Sequence, residues 1–245
     1  MDGILRCSRY SFGPNRLHYC GPDANAELRA QIEAKDFNFG LVKILREFKT
    51  LYPYLCLIAK ANNISNPFDT RVVEAYWLGN ELLENVGKKR LYNFLIDDLE
   101  IKKKSKTSEL KWLENKIIQG AVPHHSFHVL NLWWQQGGRN EKVAQEFASL
   151  DECRVATGEI VSVNGPEIIV NTEPLIYLAG KIIFGASIRK TLTRQLEAEY
   201  DIEQLKPGEL VSFHWGVPCE VLNLTQAANL KKYTLQNIAF ANQTI

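Results

Sequence analysis

The segment KPGELVSFHWGVPCEVLN, residues 206–223, decides the fold class of the C-terminal part of the chain. Residues 209–215 form a short run of β-forming side chains between Gly208 and Gly216, as expected of a strand that ends in a turn. Apolar side chains then recur at helical spacing over 225–237, which predicts a closing helix.

The strand pattern continues upstream to about residue 151, where the period of the apolar side chains changes. Several short strands with Gly, Pro and Asn between them predict a small barrel or sandwich. The predicted strands upstream of the segment are 159–163, 167–170 and 181–184.

The part of the chain before residue 151 repeats apolar side chains every three or four positions, which is typical of amphipathic helices. Gly-Pro pairs at 13–14 and 21–22 are turn signals and predict an irregular arm over 1–23. The fold class is therefore predicted to be α+β. An all-helical domain spans 1–150, and a β domain with a C-terminal helix spans 151–245.

The composition is that of an ordinary globular chain: 245 residues, 45% hydrophobic and 23% charged, with a formal net charge of +1. This charge balance and the lack of a basic tail argue against nucleic acid as a partner. No apolar run is long enough to span a membrane, and the N-terminus lacks the apolar core of a signal peptide, so we expect a cytoplasmic protein. The odd number of cysteines, five, argues against a disulfide framework.

The segment 206–223 resembles the HypC/HupF family of hydrogenase maturation chaperones. His214 and Gly216 stand at positions that the family shares, and a helix follows the segment as it does there. The front of the β domain is similar too. Cys153-Arg-Val-Ala-Thr-Gly158 has the family's spacing of a cysteine and a glycine five residues later.

The resemblance implies a small OB-like β-barrel with a C-terminal helix. It also implies that Cys153 helps to hold an iron centre with cyanide and carbon monoxide ligands, with His214 as a ligand or as a group that lowers the pKa of the thiol. In the family, the iron unit passes from a maturation scaffold protein to the hydrogenase large-subunit precursor. Gly158 and Gly216 would lie on the partner-binding surface. The family's cysteine stands at the mature N-terminus, whereas Cys153 is internal. The alternatives are a buried thiol for Cys153 and, for His214, a strand histidine bonded to a loop carbonyl.

The N-terminal part resembles an uncharacterised bacterial family that is associated with hydrogenase genes. The stretches that carry this resemblance are RYSFGPNRLHYCGP, residues 9–22, and RVVEAYWLGN, residues 71–80. This second resemblance implies no particular activity.

Two single residues of the helical part are candidates for chemistry. Cys20 precedes a Gly-Pro turn that would display its thiol for reaction or metal binding, unless the side chain fills a gap in a capped turn. Glu74 shares a helix face with Trp77, and an apolar neighbour would raise the pKa of the carboxyl and make it a proton donor. The alternative for Glu74 is a buried, hydrogen-bonded carboxylate in a core helix.

The histidines of the stretch PHHSFH, residues 123–128, are the remaining candidates. On a helix, His124 and His128 share a face at i, i+4, and His125 and His128 share one at i, i+3. Either pair could supply two nitrogen ligands to a metal, with further ligands from elsewhere in the fold. The alternative is a set of surface or capping histidines.

The HypC/HupF resemblance implies a maturation or assembly factor for NiFe hydrogenase that binds protein partners, and we expect it to hold an iron unit at Cys153 or Cys20. An enzyme that makes or transfers a metal ligand with Cys20 and the histidines is one alternative. A metal-free adaptor protein is the other.

Overall fold

In the computed structural model of the chain, the described residues are 1–34, 39–133, 143–194 and 205–244. Helices occupy most of the chain up to residue 153, and one long helix closes it. The helices are α1 Gly3–Asn15, α2 Asn25–Glu33, α3 Phe39–Arg46, α4 Leu51–Ala61, α5 Thr70–Trp77, α6 Lys88–Asn93, α7 Ile101–Lys104, α8 Thr107–Ile118, α9 His125–Phe127, α10 Val143–Cys153 and α11 Leu224–Ala241. A 3₁₀ turn spans Glu81–Leu83, and π-helical segments extend α6 over Phe94–Asp98 and α9 over His128–Trp133. Among the described residues, no helix combines the length and the apolar character that crossing a membrane requires.

The strands form two antiparallel sheets between α10 and α11. The larger sheet has the order β5-β2-β1-β6-β7, and the smaller sheet pairs β3 with β4. The strands are β1 Ala156–Asn164, β2 Glu167–Thr172, β3 Leu175–Leu178, β4 Lys181–Phe184, β5 Ile188–Thr193, β6 Leu210–His214 and β7 Val217–Leu222. The predicted mixture of helices, a β-sheet and a C-terminal helix is thereby confirmed.

Strands β6 and β7 form a hairpin within residues 206–223. His214 pairs with Val217 across a turn of two residues, Trp215 and Gly216. Both turn residues have left-handed backbone, with φ of 52° and 70°. Such turns match the twist of paired strands, and this one explains why a glycine follows the tryptophan.

Helix α1 corrects the prediction of an irregular N-terminal arm. Asp2 caps the helix, since its carboxylate accepts from the backbone N–H groups of Ile4 and Leu5. Gly13, which was interpreted as a turn signal, lies inside the helix against β6. A Cβ at this position would stand 2.4 Å from the carbonyl oxygen of His214, so the glycine permits close packing. The turn begins only after Asn15.

One hydrophobic core runs through the helices and into the sheet. It contains Tyr10 of α1 and Leu55 of α4 together with Val217 of β7 and Tyr233 of α11. The division into two domains stays a prediction, but the parts on either side of residue 150 share this interior. The candidate site described next lies where they meet.

Candidate metal site

The side chains of His125, Cys153 and His214 converge at the junction of helices and sheet, and we call this group the His–Cys site. Each residue offers a ligand atom within 4.8 Å of those of the other two. Both histidines are buried and Cys153 is half-buried. Since 28 and 61 positions separate Cys153 from the two histidines, only the tertiary fold brings the three together.

Two of these residues lie at the ends of secondary-structure elements. His214 is the last residue of β6, and Cys153 is the last residue of α10. The backbone N–H of Trp215 donates to the carbonyl of Glu152 at 3.1 Å, which ties the end of the strand to the end of the helix. The cysteine is therefore held beside the histidine by main-chain contacts.

Backbone carbonyls orient both imidazole rings. Nε2 of His125 and Nε2 of His214 each lie 2.8 Å from the carbonyl oxygen of Cys153. Nδ1 of His214 lies 2.7 Å from the carbonyl oxygen of Tyr10, and Nδ1 of His125 lies 3.3 Å from the hydroxyl of Tyr76. A carbonyl or hydroxyl partner on one ring nitrogen is the usual support of a metal-binding histidine.

The two contacts of His214 cannot both be hydrogen bonds while the ring is neutral. Burial lowers the pKa of His214 to about 4, so near neutral pH the ring carries a single N–H. Both of its nitrogens face carbonyl oxygens, and one of them must therefore present a lone pair to an oxygen. A metal could bind that nitrogen only after the ring or the carbonyl shifted aside, and binding would then remove the repulsion.

The thiol of Cys153 is protonated at neutral pH unless a cation binds it. Burial raises its pKa to about 12, and nearby Cys20 adds to the rise. The indole N–H of Trp215 lies close enough to lower the pKa, although it donates no hydrogen bond of ordinary geometry to the described part of the chain. Metal binding to this sulfur must therefore displace a proton.

A cavity of about 180 Å³ lies beside the His–Cys site. This volume is below the roughly 300–1,000 Å³ of drug-sized ligand pockets, so it suits a small ligand. Tyr19, which is 61% exposed, stacks on Trp215 with ring centroids 4.3 Å apart. The aromatic side chains that line the cavity are Tyr19, Phe48, Tyr76, Trp77, Trp133 and Trp215.

Cys20 and His128 line the same cavity without joining the three clustered residues. Burial raises the pKa of the Cys20 thiol, and its side chain packs against the hydrophobic core. Cys20 is therefore half-buried at the cavity wall and not fully displayed at the turn, and its reactivity stays a prediction. Nδ1 of His128 lies 3.3 Å from the hydroxyl of Tyr54.

His124 does not share a helix face with His128, so the predicted i, i+4 pair is wrong. Its backbone is extended because it is the N-cap of α9, and the helix begins only after it. Nδ1 accepts from the backbone N–H of Ser126 at 3.1 Å, and the ring stacks on Tyr233. The capping alternative describes His124, while His125 is the histidine that reaches Cys153.

Glu74 belongs to a buried ion-pair network and does not line the cavity. Its carboxylate accepts from Nη1 of Arg6 at 2.9 Å and from Nε2 of Gln226 at 2.8 Å. Trp77, in contrast, does line the cavity. The hydrogen-bonded carboxylate is therefore the alternative that matches the geometry, and the proton donor is not.

The two glycines predicted to bind a partner lie in different settings. A Cβ on Gly158 would stand 2.7 Å from the side chain of Val170, so this glycine permits close packing of β1 on β2. Gly216 is half-buried in the β6–β7 turn, with open space where a Cβ would project.

Sequence reasoning missed two residues that shape the site, Tyr10 and Trp215. No local pattern marks Tyr10, because it acts through its backbone carbonyl, which every residue has. Trp215 could have been noticed as a bulky residue between His214 and Gly216, in a turn that requires left-handed backbone.

Comparison with curated proteins and with solved structures returns no match. A family of unknown function, DUF6390, matches residues 1–245. The match includes the helices and the sheet, and hence all three residues of the His–Cys site. The chain therefore belongs to the DUF6390 family of unknown function.

Proposed function

We propose that this protein is a maturation factor for NiFe hydrogenase that takes up an iron unit as cargo at the His–Cys site. The observation that carries the proposal is the convergence of Cys153 and His214. The HypC/HupF resemblance selects these two residues for iron binding, and 61 positions separate them in the chain. His125 adds a third donor that the resemblance does not supply.

The donor set is consistent with such a cargo. One thiolate and two imidazole nitrogens suit iron, zinc or copper, and three protein ligands leave coordination positions for other groups. The adjacent cavity of about 180 Å³ has room for small ligands on a metal, such as cyanide and carbon monoxide. The partner that delivers or receives the unit would be a scaffold protein or the hydrogenase large-subunit precursor.

We also infer that the larger sheet is part of an OB-like barrel. Its outer strands are β5 and β7. The backbone N–H of Thr193, at the end of β5, donates to the carbonyl of Gly216 at 3.0 Å, in the turn that precedes β7. This bond draws the two edges of the sheet towards each other, as a barrel requires.

The test is the iron content and the infrared spectrum of the full-length chain, purified under strict anaerobiosis from cells that mature a NiFe hydrogenase. We expect iron with absorption bands of cyanide and carbon monoxide. Cys153→Ala and His214→Ala should lose both. Cys56→Ala is the matched control, because Cys56 lies outside the cavity, and it should keep them.

Two outcomes would contradict the assignment. Bands that persist in Cys153→Ala and vanish in Cys20→Ala would place the iron at Cys20. A metal-free wild-type chain that still co-purifies with the hydrogenase precursor would support an adaptor protein without a metal.

An enzyme that makes or transfers a metal ligand is a second candidate, because Cys20 lines the same cavity as Cys153. This candidate predicts turnover of a small molecule that Cys20→Ala abolishes while the metal stays bound. A carrier predicts no turnover and stoichiometric transfer of iron to its partner.

A further inference from the structure

A second cavity, of about 970 Å³, lies along α4 and α6. It shares no lining residue with the cavity beside the His–Cys site. We call it the basic groove and define it by Lys60 of α4 and by Lys88, Lys89 and Arg90 of α6, all of which are exposed. Its volume is at the upper end of the roughly 300–1,000 Å³ of small-ligand pockets, which favours a longer occupant.

The charge of the groove is positive and largely uncompensated. Asp98 is the only carboxylate among the described residues that line it. Within the described part of the chain, Lys60, Lys89 and Arg90 form no ion pair. The whole chain carries a net charge of only +1, so this excess is local. Like charges repel one another, and an anionic occupant would relieve that repulsion.

Other lining residues favour a peptide over other anions. Pro53 and Leu57 contribute apolar surface to the lining, and Asn85 and Asn93 add side-chain amides that can bond a main chain. Single-stranded nucleic acid binds by stacking its bases on aromatic rings, but the aromatic ring among the described lining residues, Phe94, is only 5% exposed. A small phosphorylated ligand would need enclosed, convergent donors, whereas the four cations are exposed.

We propose that the basic groove binds an acidic segment of a partner protein. The carboxylates of the segment pair with Lys60, Lys89 and Arg90, and its apolar side chains contact Pro53 and Leu57 at the base. The two cavities share no lining residue, so peptide binding at the groove and metal binding at the His–Cys site can be measured separately.

The test is fluorescence anisotropy of the full-length chain with a labelled peptide of alternating glutamate pairs and leucine. The groove variant combines Lys60→Glu, Lys89→Glu and Arg90→Glu. The matched control combines Lys111→Glu, Arg189→Glu and Lys206→Glu, which make the same charge change at exposed positions outside the groove. We expect at least a tenfold loss of affinity in the groove variant, a small change in the control, and weaker binding at high salt.

A single variant and two competing ligands test whether the loss of affinity is specific to the groove and to a peptide. Arg90→Gln should lose affinity by a smaller factor, and circular dichroism should show that all variants are folded. Equal losses in the groove variant and in the control would overturn the proposal, since attraction would then follow net charge alone. Undetectable peptide binding, or displacement of the peptide by equimolar pyrophosphate or by a short RNA, would also overturn it.

Discussion

Two buried polar regions join the helices to the sheet, and they differ in how well their groups are paired. In the ion-pair network, Arg6 contacts both Glu220 and Glu74, at 3.0 and 2.9 Å. The hydroxyl of Tyr10 donates to Glu220 at 2.8 Å. In the His–Cys site, both ring nitrogens of His214 face carbonyl oxygens, but the neutral ring has only one N–H to donate.

The difference separates a structural role from a chemical one. A buried charge with a full set of partners stabilises one arrangement of the chain, and removing a partner is costly. In the His–Cys site, by contrast, there are fewer N–H donors than acceptors, and lone pairs that converge beside a cavity can bind a cation. Glu74, a candidate proton donor by sequence, falls in the first region, whereas Cys153 and His214 fall in the second.

The largest expected effect comes from breaking the ion-pair network. Glu220→Ala leaves the Arg6 guanidinium buried without its principal partner, so we expect a loss of about 3–5 kcal/mol in the free energy of unfolding. Urea denaturation measures it. Glu173→Ala is the control, because its pair with Lys231 is exposed, and about 0–1 kcal/mol is expected there. Similar small losses in both variants would show that the network contributes little to the free energy of unfolding.

A somewhat smaller effect is expected from filling the His–Cys site. A divalent transition metal at about one hundred times its dissociation constant should stabilise the folded chain by about 2.7 kcal/mol. Thermal unfolding with and without the metal measures this gain. His214→Ala should abolish it, whereas His124→Gln should keep it, because His124 lies outside the cluster. Loss of the gain in both variants would mean that the histidines act through the fold and not as ligands.

Per histidine and per pH unit, the smallest expected effect is a dependence of stability on pH in the metal-free chain. Burial lowers the pKa of His124 to about 3 and that of His214 to about 4, while the unfolded chain titrates near its ordinary value of about 6.5. Stability is therefore complete above about pH 6.5 and falls as the pH is lowered towards 4. The slope is up to about 1.4 kcal/mol per pH unit for each histidine.

Denaturation at pH 5, 6 and 7 checks this dependence. His124→Gln should flatten the curve by about one proton, because a glutamine takes up none in either state. His18→Gln, which removes an exposed histidine, provides the comparison. An unchanged slope in His124→Gln would contradict the burial of a neutral ring at this position.

Local patterns accounted for several elements of the fold. The run of β-forming residues over 209–215 predicted β6, and apolar spacing predicted the closing helix, which in fact runs further, over Leu224–Ala241. Asp2 shows where such patterns failed, because an N-cap without a clear apolar repeat after it gave no helix signal for α1. Gly13 shows a second kind of failure. A glycine that permits close packing looks the same in sequence as one that permits a turn, so the Gly-Pro pair predicted a turn where the helix continues.

By itself, the sequence determined which residues could do chemistry and which kind of element would carry them. Hydrophobic period and turn residues are local properties, so they specified helices before residue 150 and strands after it. Only the tertiary structure decided which candidates meet. Cys153 joined His125 and His214, whereas His124 became a helix cap and Glu74 an ion-pair partner. Contacts across 28 and 61 positions depend on the packing of the shared core, which no local pattern encodes.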